Sequence, residues 1–389
     1  MPRNRPTMRG SGTEQSSMSD PPTIHPDAAF DPTAVGGGAF SRDIAGARLR
    51  IASAQDERGL QRAAAEIRSL WQRVAGQAAS EPTTRLISTL NDALTQRVID
   101  LACAGEEMAG MRWCWIALGS EGRQEQTLSS DQDNGMILAG SGGAEAMRDR
   151  MLPLALRINE TLDACGFPLC TGQIMASNPQ WCLDLHEWRE RFASWIIEGD
   201  PPGLLNATIF FDLRPLYGAG ELAQALMGWL GKMAPDNPRF LFQMTANALR
   251  RKAPLGLLRD FVVAKRGEFA GTIDLKLDAA TLFVDAARIY GLACGARASN
   301  TAHRLRRAGE MGRLAPKDVQ AWILAFDCIQ RLRLKTQQRC FERGMPMHNH
   351  VDPDELETGE RRALLDALRQ ARVLQKHLAL DYLDARQGI

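Results

Sequence analysis

The sequence predicts an α/β (α+β) protein, in which a core with a small mixed sheet is flanked by N-terminal helices and followed by an all-helical C-terminal domain. Two observations support this prediction. In the central region, strand-like and helix-like segments alternate, at 113–118, 134–138, 145–164, 169–176 and 179–197. Beyond the central region, nearly every apolar segment has helical spacing, at 222–233, 237–251, 278–294, 316–342 and 359–385. This order is typical of a small sheet domain joined to a helical domain.

The predicted boundaries follow from composition. Residues 1–40 are rich in Pro, Gly, Ser and Thr, and we predict a disordered tail because such a composition cannot bury a core. We predict an N-terminal helical segment at 41–108, since the apolar residues from Leu60 to Trp71 and from Leu86 to Leu101 recur at the spacing of two amphipathic helices. The core then covers 109–220, and the helical C-terminal domain covers 221–389.

Bulk composition disfavours several classes of protein. The formal net charge is +1 over 389 residues, and no dense Lys/Arg block is present, so a nucleic-acid partner is disfavoured. The chain has no run of about eighteen apolar residues and no apolar stretch near Met1, which disfavours a membrane span and a signal peptide. The eight cysteines form no C-x-x-C pair, which indicates reduced thiols. These features predict a cytoplasmic protein.

One stretch of the core carries residues from which a reaction can be argued. An apolar strand is followed by the Gly119-Ser120 turn, a polar helical stretch, and a second strand that opens on Asp131 and Asp133. If the two strands pair, the turn and both carboxylates converge at one edge of the sheet, and aspartates two residues apart project from the same face. Two carboxylates this close repel each other, and a hard divalent cation relieves the repulsion. The pair therefore predicts a site for Mg²⁺, or for Mn²⁺ in its place.

The turn before these aspartates is suited to bind phosphate. Gly119 lets the backbone approach an anion, the Ser120 hydroxyl can bond a phosphate oxygen, and a helix beginning near Glu121 would direct free N–H groups at it. We therefore expect a nucleoside triphosphate at this turn. No Walker pattern occurs in the chain. Nucleotidyl transfer needs little more, because positioning and charge neutralisation by metal ions supply most of the catalysis.

The full segment reads G-S-E-G-R-Q-E-Q-T-L-S-S-D-Q-D-N. It resembles the signature of the polymerase-beta-like nucleotidyltransferase superfamily and the N-terminal region of bacterial PII uridylyltransferase. It is most similar to a nucleotidyltransferase family often found behind CBS domains in signal-transduction proteins. Similarity at 175–181, 209–218, 271–276 and 284–288 extends the resemblance over about 45–385.

The resemblance implies a nucleotidyltransferase-like core that moves a nucleoside monophosphate from a triphosphate to an acceptor hydroxyl, with release of pyrophosphate. By the same resemblance, the acceptor is a protein, such as a tyrosine of a PII-like regulator, and a regulatory partner is expected. Two alternatives stay open. The chain could be an inactive module that binds nucleotide and regulates, or a helical interaction scaffold with a vestigial pocket.

Metal-dependent transfer in this superfamily generally uses a third carboxylate from a neighbouring strand. The predicted strand near Cys170 carries no acid, although its place in the order suits that role. Asp212 is the first candidate for the third carboxylate and a second metal, and Asp184 is the next. Asp212 could equally be the ion-pair partner of Arg214 or of another core arginine.

Three more residues are candidates for nucleotide binding. Arg123 could contact the triphosphate or could pair with Glu125 or Glu121 on the helix surface. Asp274 and Lys276 lie where uridylyltransferase-like proteins have a Gly-Gly-Leu-Arg-Asp segment, and by that resemblance they border the nucleotide. The alternative for this segment is capping of the following helix.

Other patterns favour ordinary structural roles. The tryptophans at 181, 188 and 195 are spaced by seven, which favours core packing along one helical stripe over base stacking. His348 and His350 could chelate a metal, but a loop before the last helix is favoured. The basic clusters at 304–307 and 331–335 are predicted to be solvated helix faces, and Asn134 is predicted to start its strand.

Overall fold

A computed structural model describes residues 38–74, 80–108, 111–140, 143–199, 208–256 and 261–384. The predicted disordered tail at 1–40 lies outside the described residues except at 38–40, where the first helix begins. Within the described part of the chain, no helix is both long and apolar enough to cross a membrane.

In the described part of the chain, three helices precede the sheet. They are α1 (Gly38–Ser53), α2 (Glu57–Val74) and α3 (Ser80–Cys103). The two predicted amphipathic helices correspond to α2 and α3, whereas α1 was not predicted as a separate helix. Leu60, Leu70 and Trp71 of α2 are almost fully buried, as their helical spacing predicted.

The core contains one four-stranded mixed sheet, which confirms the predicted fold class. Its elements in chain order are β1 (Met111–Ala117), the one-turn helix α4 (Gly119–Gly122), β2 (Asn134–Gly140), α5 (Ala144–Ala164), β3 (Cys182–Asp184), α6 (Leu185–Ala193) and β4 (Arg214–Gly218). The strand order is β3-β2-β1-β4. Strand β1 is antiparallel to both β2 and β4, while β3 is parallel to β2. The predicted strands at 113–118 and 134–138 therefore pair as expected.

Two local predictions in the core were wrong. Residues 169–176 form turns and not a strand. The backbone of this segment bonds to Asn134 at the start of β2 and not along a neighbouring strand. Ile174 O accepts from Asn134 N at 3.1 Å, and Ala176 N donates to Asn134 Oδ1 at 2.8 Å. The polar helix expected from Glu121 is only the single turn α4, and Gln124 just beyond it has a φ of 55°, which ends helical backbone.

The predicted helix at 179–197 is divided. A 3₁₀ turn at Pro179–Trp181 leads into β3, and α6 continues into a π turn at Ser194–Glu198. Asp184 caps α6, since its carboxylate accepts from Glu187 N at 2.7 Å while the Glu187 side chain accepts from Asp184 N at 2.8 Å. The tryptophans at 181, 188 and 195 consequently lie on three different elements, yet Trp188 and Trp195 are buried in the core, as predicted.

The C-terminal half is helical, as predicted. Its helices are α7 (Gly220–Met233), α8 (Pro238–Ala248), α9 (Thr281–Ala293), α10 (Thr301–Glu310), α11 (Pro316–Glu342) and α12 (Thr358–Tyr382). Helix α10 was not among the helices predicted from apolar spacing, although the basic cluster at 304–307 was predicted to lie on a helix face. A two-residue ladder joins β5 (Ile273–Asp274) to β6 (His350–Val351), so His350 lies on a short strand and not in a loop. A π turn at Leu275–Ala280 leads from β5 into α9.

Both faces of the sheet are covered by helices. On β1, the side chains of Cys114 and Ile116 pack into a core shared with the C-terminal helices. Trp113 and Trp115 project from the other face, where they pack with α1, α2, α3 and α5. The end of β1 and the start of β2 are therefore held from two sides, and this edge carries the predicted site.

The first prediction concerns Gly122 in α4. A Cβ at this position would lie 1.8 Å from the Asp212 carbonyl oxygen and 2.9 Å from that of Ala117. Because both neighbours are backbone atoms, Gly122→Ala should lower the free energy of unfolding by about 2–4 kcal/mol in urea denaturation. Gly359→Ala is the control, since nothing lies within 4 Å of the added carbon. Equal midpoints for the two variants would contradict the close approach.

Candidate active site

The Gly-Ser turn and the second aspartate of the D-x-D pattern are adjacent in space. Ala117, the last residue of β1, is opposite Asn134, and Leu118 N donates to Asp133 O at 2.9 Å. Gly119 has a φ of 53°, and a Cβ on it would come within 2.8 Å of Asp133 Oδ2. Only glycine satisfies both conditions without strain. The structure therefore brings the turn and the carboxylate together, as strand pairing predicted.

Three side chains form a compact group of possible metal ligands, which we term the acidic cluster: Asp131, Asp133 and Cys170. One ligand atom from each lies within 4.8 Å of the others. Cys170 Sγ lies 3.4 Å from Asp133 Oδ1 and donates to it. Asp133 is only 7% exposed, and Asp131 is half-buried. Although Asp131 and Asp133 precede β2 and are not part of it, their carboxylates meet as expected.

Cys170 was not predicted as a site residue. Cys170 begins the segment in which the third carboxylate was expected from the order of elements, and this segment contains no acid. Its position was the only signal in the sequence that pointed to Cys170. Burial raises the pKa of the Cys170 thiol to about 11, so the thiol is protonated near neutral pH. The two carboxylates fit a hard divalent cation, and the sulfur adds a ligand that softer ions favour.

The electrostatics of the cluster depend on burial. Burial and the charge of Asp131 raise the pKa of Asp133 to about 7, while Lys276 and Arg123 act in the opposite direction. Burial, together with Asp92 and Asp133, raises the pKa of Glu121 to about 8. Burial is the largest cause of both shifts, and repulsion between neighbouring carboxylates adds to it; a bound cation would relieve this repulsion.

Asp212, the predicted third carboxylate, lies outside the acidic cluster. It is fully buried, and its two oxygens accept from three arginines: Arg123 Nη1 at 2.6 Å, Arg288 Nη2 at 2.7 Å and Nε at 3.0 Å, and Arg304 Nη1. These charges hold the pKa of Asp212 far below its usual range despite burial, which acts to raise it. With both oxygens bound by guanidinium groups, neither is left to bind a metal or take up a proton.

The contacts of Asp212 therefore favour the ion-pair alternative. Arg214 is not a partner of Asp212, because it pairs with Asp92 at 2.9 Å. The cluster at 304–307 is also not a uniformly solvated face, because Arg304 is only 3% exposed. Asp184, the next candidate, is occupied as the cap of α6 and belongs to no group of metal ligands among the described residues.

Of the two roles predicted for Arg123, the contacts favour ion pairing over contact with the triphosphate. Its Nε donates to Glu125 Oε2 at 2.8 Å, and its Nη1 bonds Asp212. Glu125 in turn accepts from Thr301 N at 2.7 Å, at the start of α10. The guanidinium is thus committed to two carboxylates, and the same residues tie the loop after α4 to the C-terminal helices.

The two candidates near 275 have different roles. The Asp274 carboxylate accepts from Lys276 N at 2.8 Å and from Leu277 N at 2.9 Å, so it caps the π turn, as the alternative prediction had it. Lys276 is exposed, and its positive charge lowers the pKa of Asp133. Lys276 thus acts on the acidic cluster through its charge, and Asp274 supports the backbone turn that carries Lys276.

The histidines belong to no metal site among the described residues. The His350 ring stacks on Phe269 with centroids 3.8 Å apart, and its Nδ1 lies 3.2 Å from Thr272 Oγ1. His348 Nδ1 accepts from His350 N at 3.3 Å. These contacts hold the β5–β6 ladder together, in agreement with the structural interpretation.

Comparison with protein families gives two matches. The family model described as “Putative nucleotidyltransferase DUF294” matches residues 65–202, which include the Gly-Ser turn and the acidic cluster. The model described as “Putative nucleotidyltransferase substrate binding domain” matches residues 238–382, which include Lys276 and the arginines of α9, α10 and α11. No curated protein matches the chain.

The second prediction tests the buried ion pairs. Asp212→Asn removes the counter-charge shared by the buried Arg288 and Arg304 and the partly buried Arg123, and should lower the free energy of unfolding by roughly 3–5 kcal/mol at pH 7. The control is Glu310→Gln, which removes the exposed partner of Arg307 and should change stability by less than about 1 kcal/mol. Urea denaturation of both variants measures the difference. A loss as small as that of the control would show that Asp212 is not required by the core.

The third prediction tests the strain in the acidic cluster. An unfolded chain has an ordinary aspartate pKa near 4, whereas the pKa of Asp133 is about 7 in the fold. The folded state holds this proton more tightly, so stability falls as pH rises between these values. Without divalent metal at pH 8, Asp133→Asn should therefore raise the free energy of unfolding, by roughly 1–3 kcal/mol, and the gain should vanish near pH 4.

The control for this variant is Asp354→Asn, at an exposed carboxylate, which should show no such pH dependence. Urea denaturation at pH 4 and pH 8 in the presence of a chelator measures both. If Asp133→Asn is less stable than the unaltered protein at pH 8, the carboxylate contributes to the fold and does not oppose it.

Proposed function

The chain belongs to the DUF294 nucleotidyltransferase family, and from this premise we propose that it is a metal-dependent enzyme that transfers a nucleoside monophosphate from a nucleoside triphosphate to an acceptor hydroxyl. Pyrophosphate is the second product. The observation that carries the proposal is the convergence of Asp131 and Asp133 beside the Gly119 turn. Two mutually repelling carboxylates, one buried and one half-buried, next to a turn suited to phosphate are the groups that this reaction requires.

Asp131 and Asp133 would hold the divalent cation, Mg²⁺ or Mn²⁺, and Cys170 lies within reach as a further ligand. When bound, the cation neutralises charge on the triphosphate and on the leaving pyrophosphate. The residues of the chain supply the positioning. Gly119 lets the backbone approach the β- and γ-phosphates, the Ser120 hydroxyl can donate to them, and the Lys276 ammonium adds positive charge beside Asp133.

We propose a protein hydroxyl as the acceptor, because the signature resembles that of PII uridylyltransferase. The near-neutral net charge supports this choice over a nucleic acid, whose backbone would need a basic surface. All eight cysteines are free thiols, which supports a reducing compartment such as the cytoplasm for the reaction.

A second candidate function is a regulatory module that binds nucleotide without turnover. The observation that favours it is the absence of a third carboxylate from the acidic cluster: among the described residues, Cys170 takes that place and Asp212 is bound by arginines. Loss of a general base typically costs 10²–10⁴-fold in rate, so this module would bind triphosphate but form product slowly or not at all.

The fourth prediction concerns metal-dependent nucleotide binding. Calorimetry with each of the four ribonucleoside triphosphates and Mg²⁺ should show binding of at least one, and the Asp131→Asn/Asp133→Asn double variant should lose it. The matched control is Asp352→Asn/Asp354→Asn, at a second D-x-D pattern that lies outside the acidic cluster. Binding that persists in the first double variant would place the nucleotide elsewhere.

Turnover separates the two candidate functions. With the preferred triphosphate labelled at the α-phosphate, an enzyme releases pyrophosphate and labels an acceptor, and the double variant at the acidic cluster does neither. Binding without pyrophosphate release, even when candidate acceptor proteins are present, would instead support the regulatory module.

A further inference from the structure

Arg333 on α11 is a buried arginine that has no acidic partner among the described residues. Its side chain is 7% exposed, and its described hydrogen bonds run from Nε to Asn349 Oδ1 at 3.2 Å and from Nη1 to Gln330 Oε1 at 2.6 Å. Both partners are neutral amides. Buried Arg288 and Arg304 each pair with Asp212, whereas no carboxylate among the described residues lies within ion-pair distance of Arg333.

Such a charge is costly to keep inside a protein. Burial and the nearby charge of Arg123 lower the pKa of Arg333 to about 10, while Asp274 and Glu125 act from a distance to raise it. The group is therefore still cationic near pH 7. Because a buried charge is normally paired, an unpaired one indicates that its counter-ion is not part of the described chain.

Arg333 is tied to the loop that carries the acidic cluster. Gln337, one helical turn further along α11 and fully buried, donates through Nε2 to Ser129 Oγ at 2.8 Å and to Asn349 Oδ1 at 2.9 Å. Ser129 lies two residues before Asp131. The amide of Asn349 thus accepts from both Gln337 and Arg333, and it fixes the guanidinium relative to the metal ligands.

Arg333 is also linked to the second free cation of the site. Leu275 N donates to Asn349 O at 2.9 Å, and Lys276 follows directly in the chain. The Lys276 charge acts on Asp133, and among the described residues Lys276 forms no ion pair. Two cations from the C-terminal half, neither of them in an ion pair with a described residue, are therefore connected through Asn349 and Gln337 to the loop that carries the acidic cluster. Such an arrangement suits an anion that bridges metal and protein.

We propose that Arg333 binds a phosphate group of the nucleoside triphosphate and so makes α11 part of the substrate site. This assignment rests on the proposed function, since the triphosphate is the anion that function requires. A guanidinium suits the role because Nε and Nη1 are held by Asn349 and Gln330, while Nη2 makes none of the described hydrogen bonds and can donate to phosphate oxygens.

The fifth prediction uses inorganic tripolyphosphate as the probe, because its affinity does not depend on which base the site prefers. In calorimetry with Mg²⁺, Arg333→Gln should weaken tripolyphosphate binding by about 10–100-fold. Arg331→Gln is the matched control two residues away, since Arg331 is 54% exposed and pairs with Asp327; its affinity should not change. Arg333→Lys keeps the charge without the planar geometry and should give an intermediate loss.

Two further measurements distinguish binding from a structural role. Mn²⁺ binding, followed by electron paramagnetic resonance without phosphate, should be unchanged in Arg333→Gln. The melting temperature of the ligand-free variant should be equal to or above that of the unaltered protein, because an unpaired buried charge has been removed. A marked fall in melting temperature together with full tripolyphosphate affinity would identify a structural residue. If Arg333→Gln does not fold, Arg333→Lys carries the binding test.

The outcomes also separate this proposal from the proposed function. If the unaltered protein binds a nucleoside triphosphate and Arg333→Gln binds tripolyphosphate equally well, the role of Arg333 is wrong and the function stands. If the unaltered protein binds a nucleoside triphosphate but no tripolyphosphate, the phosphate assignment is overturned alone. If it binds neither, both proposals are wrong.

Discussion

The carboxylate of Asp212 is the interaction on which the arrangement of this protein depends. It accepts from Arg123 after α4, from Arg288 on α9 and from Arg304 on α10, so a single buried anion joins the sheet core to two helices of the C-terminal half. A buried charge is stable only when its partners are held in place, and here each partner also depends on Asp212. The carbonyl oxygen of the same residue lies against Gly122, which positions the turn beside the acidic cluster.

The cationic side chains around Asp212 and the acidic cluster form two groups, those that are paired with carboxylates and those that are not. Arg123, Arg288 and Arg304 are neutralised by carboxylates and serve the fold. Arg333 and Lys276 form no ion pair with a described residue; the Lys276 charge acts on Asp133, and Arg333 is connected through Asn349 and Gln337 to the loop before Asp131. A metal bound with a polyphosphate would complement both sets, because the cation compensates the aspartates and the phosphates compensate the unpaired cations. Without these ligands, the charges of the aspartates and of the two cations would therefore stay uncompensated.

This arrangement also explains why the acidic cluster contains a cysteine. The carboxylates of Asp131 and Asp133 repel each other, and the Glu121 carboxylate also interacts unfavourably with Asp133. A third carboxylate in the cluster would increase the repulsion, whereas a protonated thiol at Cys170 adds none and donates to Asp133. Whether product is formed is therefore the property that distinguishes an enzyme from a nucleotide-binding regulator.

The sequence by itself determined the elements that depend on neighbours in the chain: the paired strands around the Gly-Ser turn, the D-x-D aspartates, and most of the helices, each of which follows from local spacing. The exceptions are short or irregular segments, such as the turns at 169–176 and the divided segment at 179–197. In these segments, hydrogen bonds to single side chains, those of Asn134 and Asp184, set the backbone conformation. Only the tertiary structure decided the roles of the charged residues. Arg288 and Arg304 are 76 and 92 positions from Asp212, and Arg333 looks in the sequence like any arginine of an exposed helix. Which charged side chain is buried, and which charge meets a partner, depends on packing between distant segments, and local periodicity carries no information about those pairings.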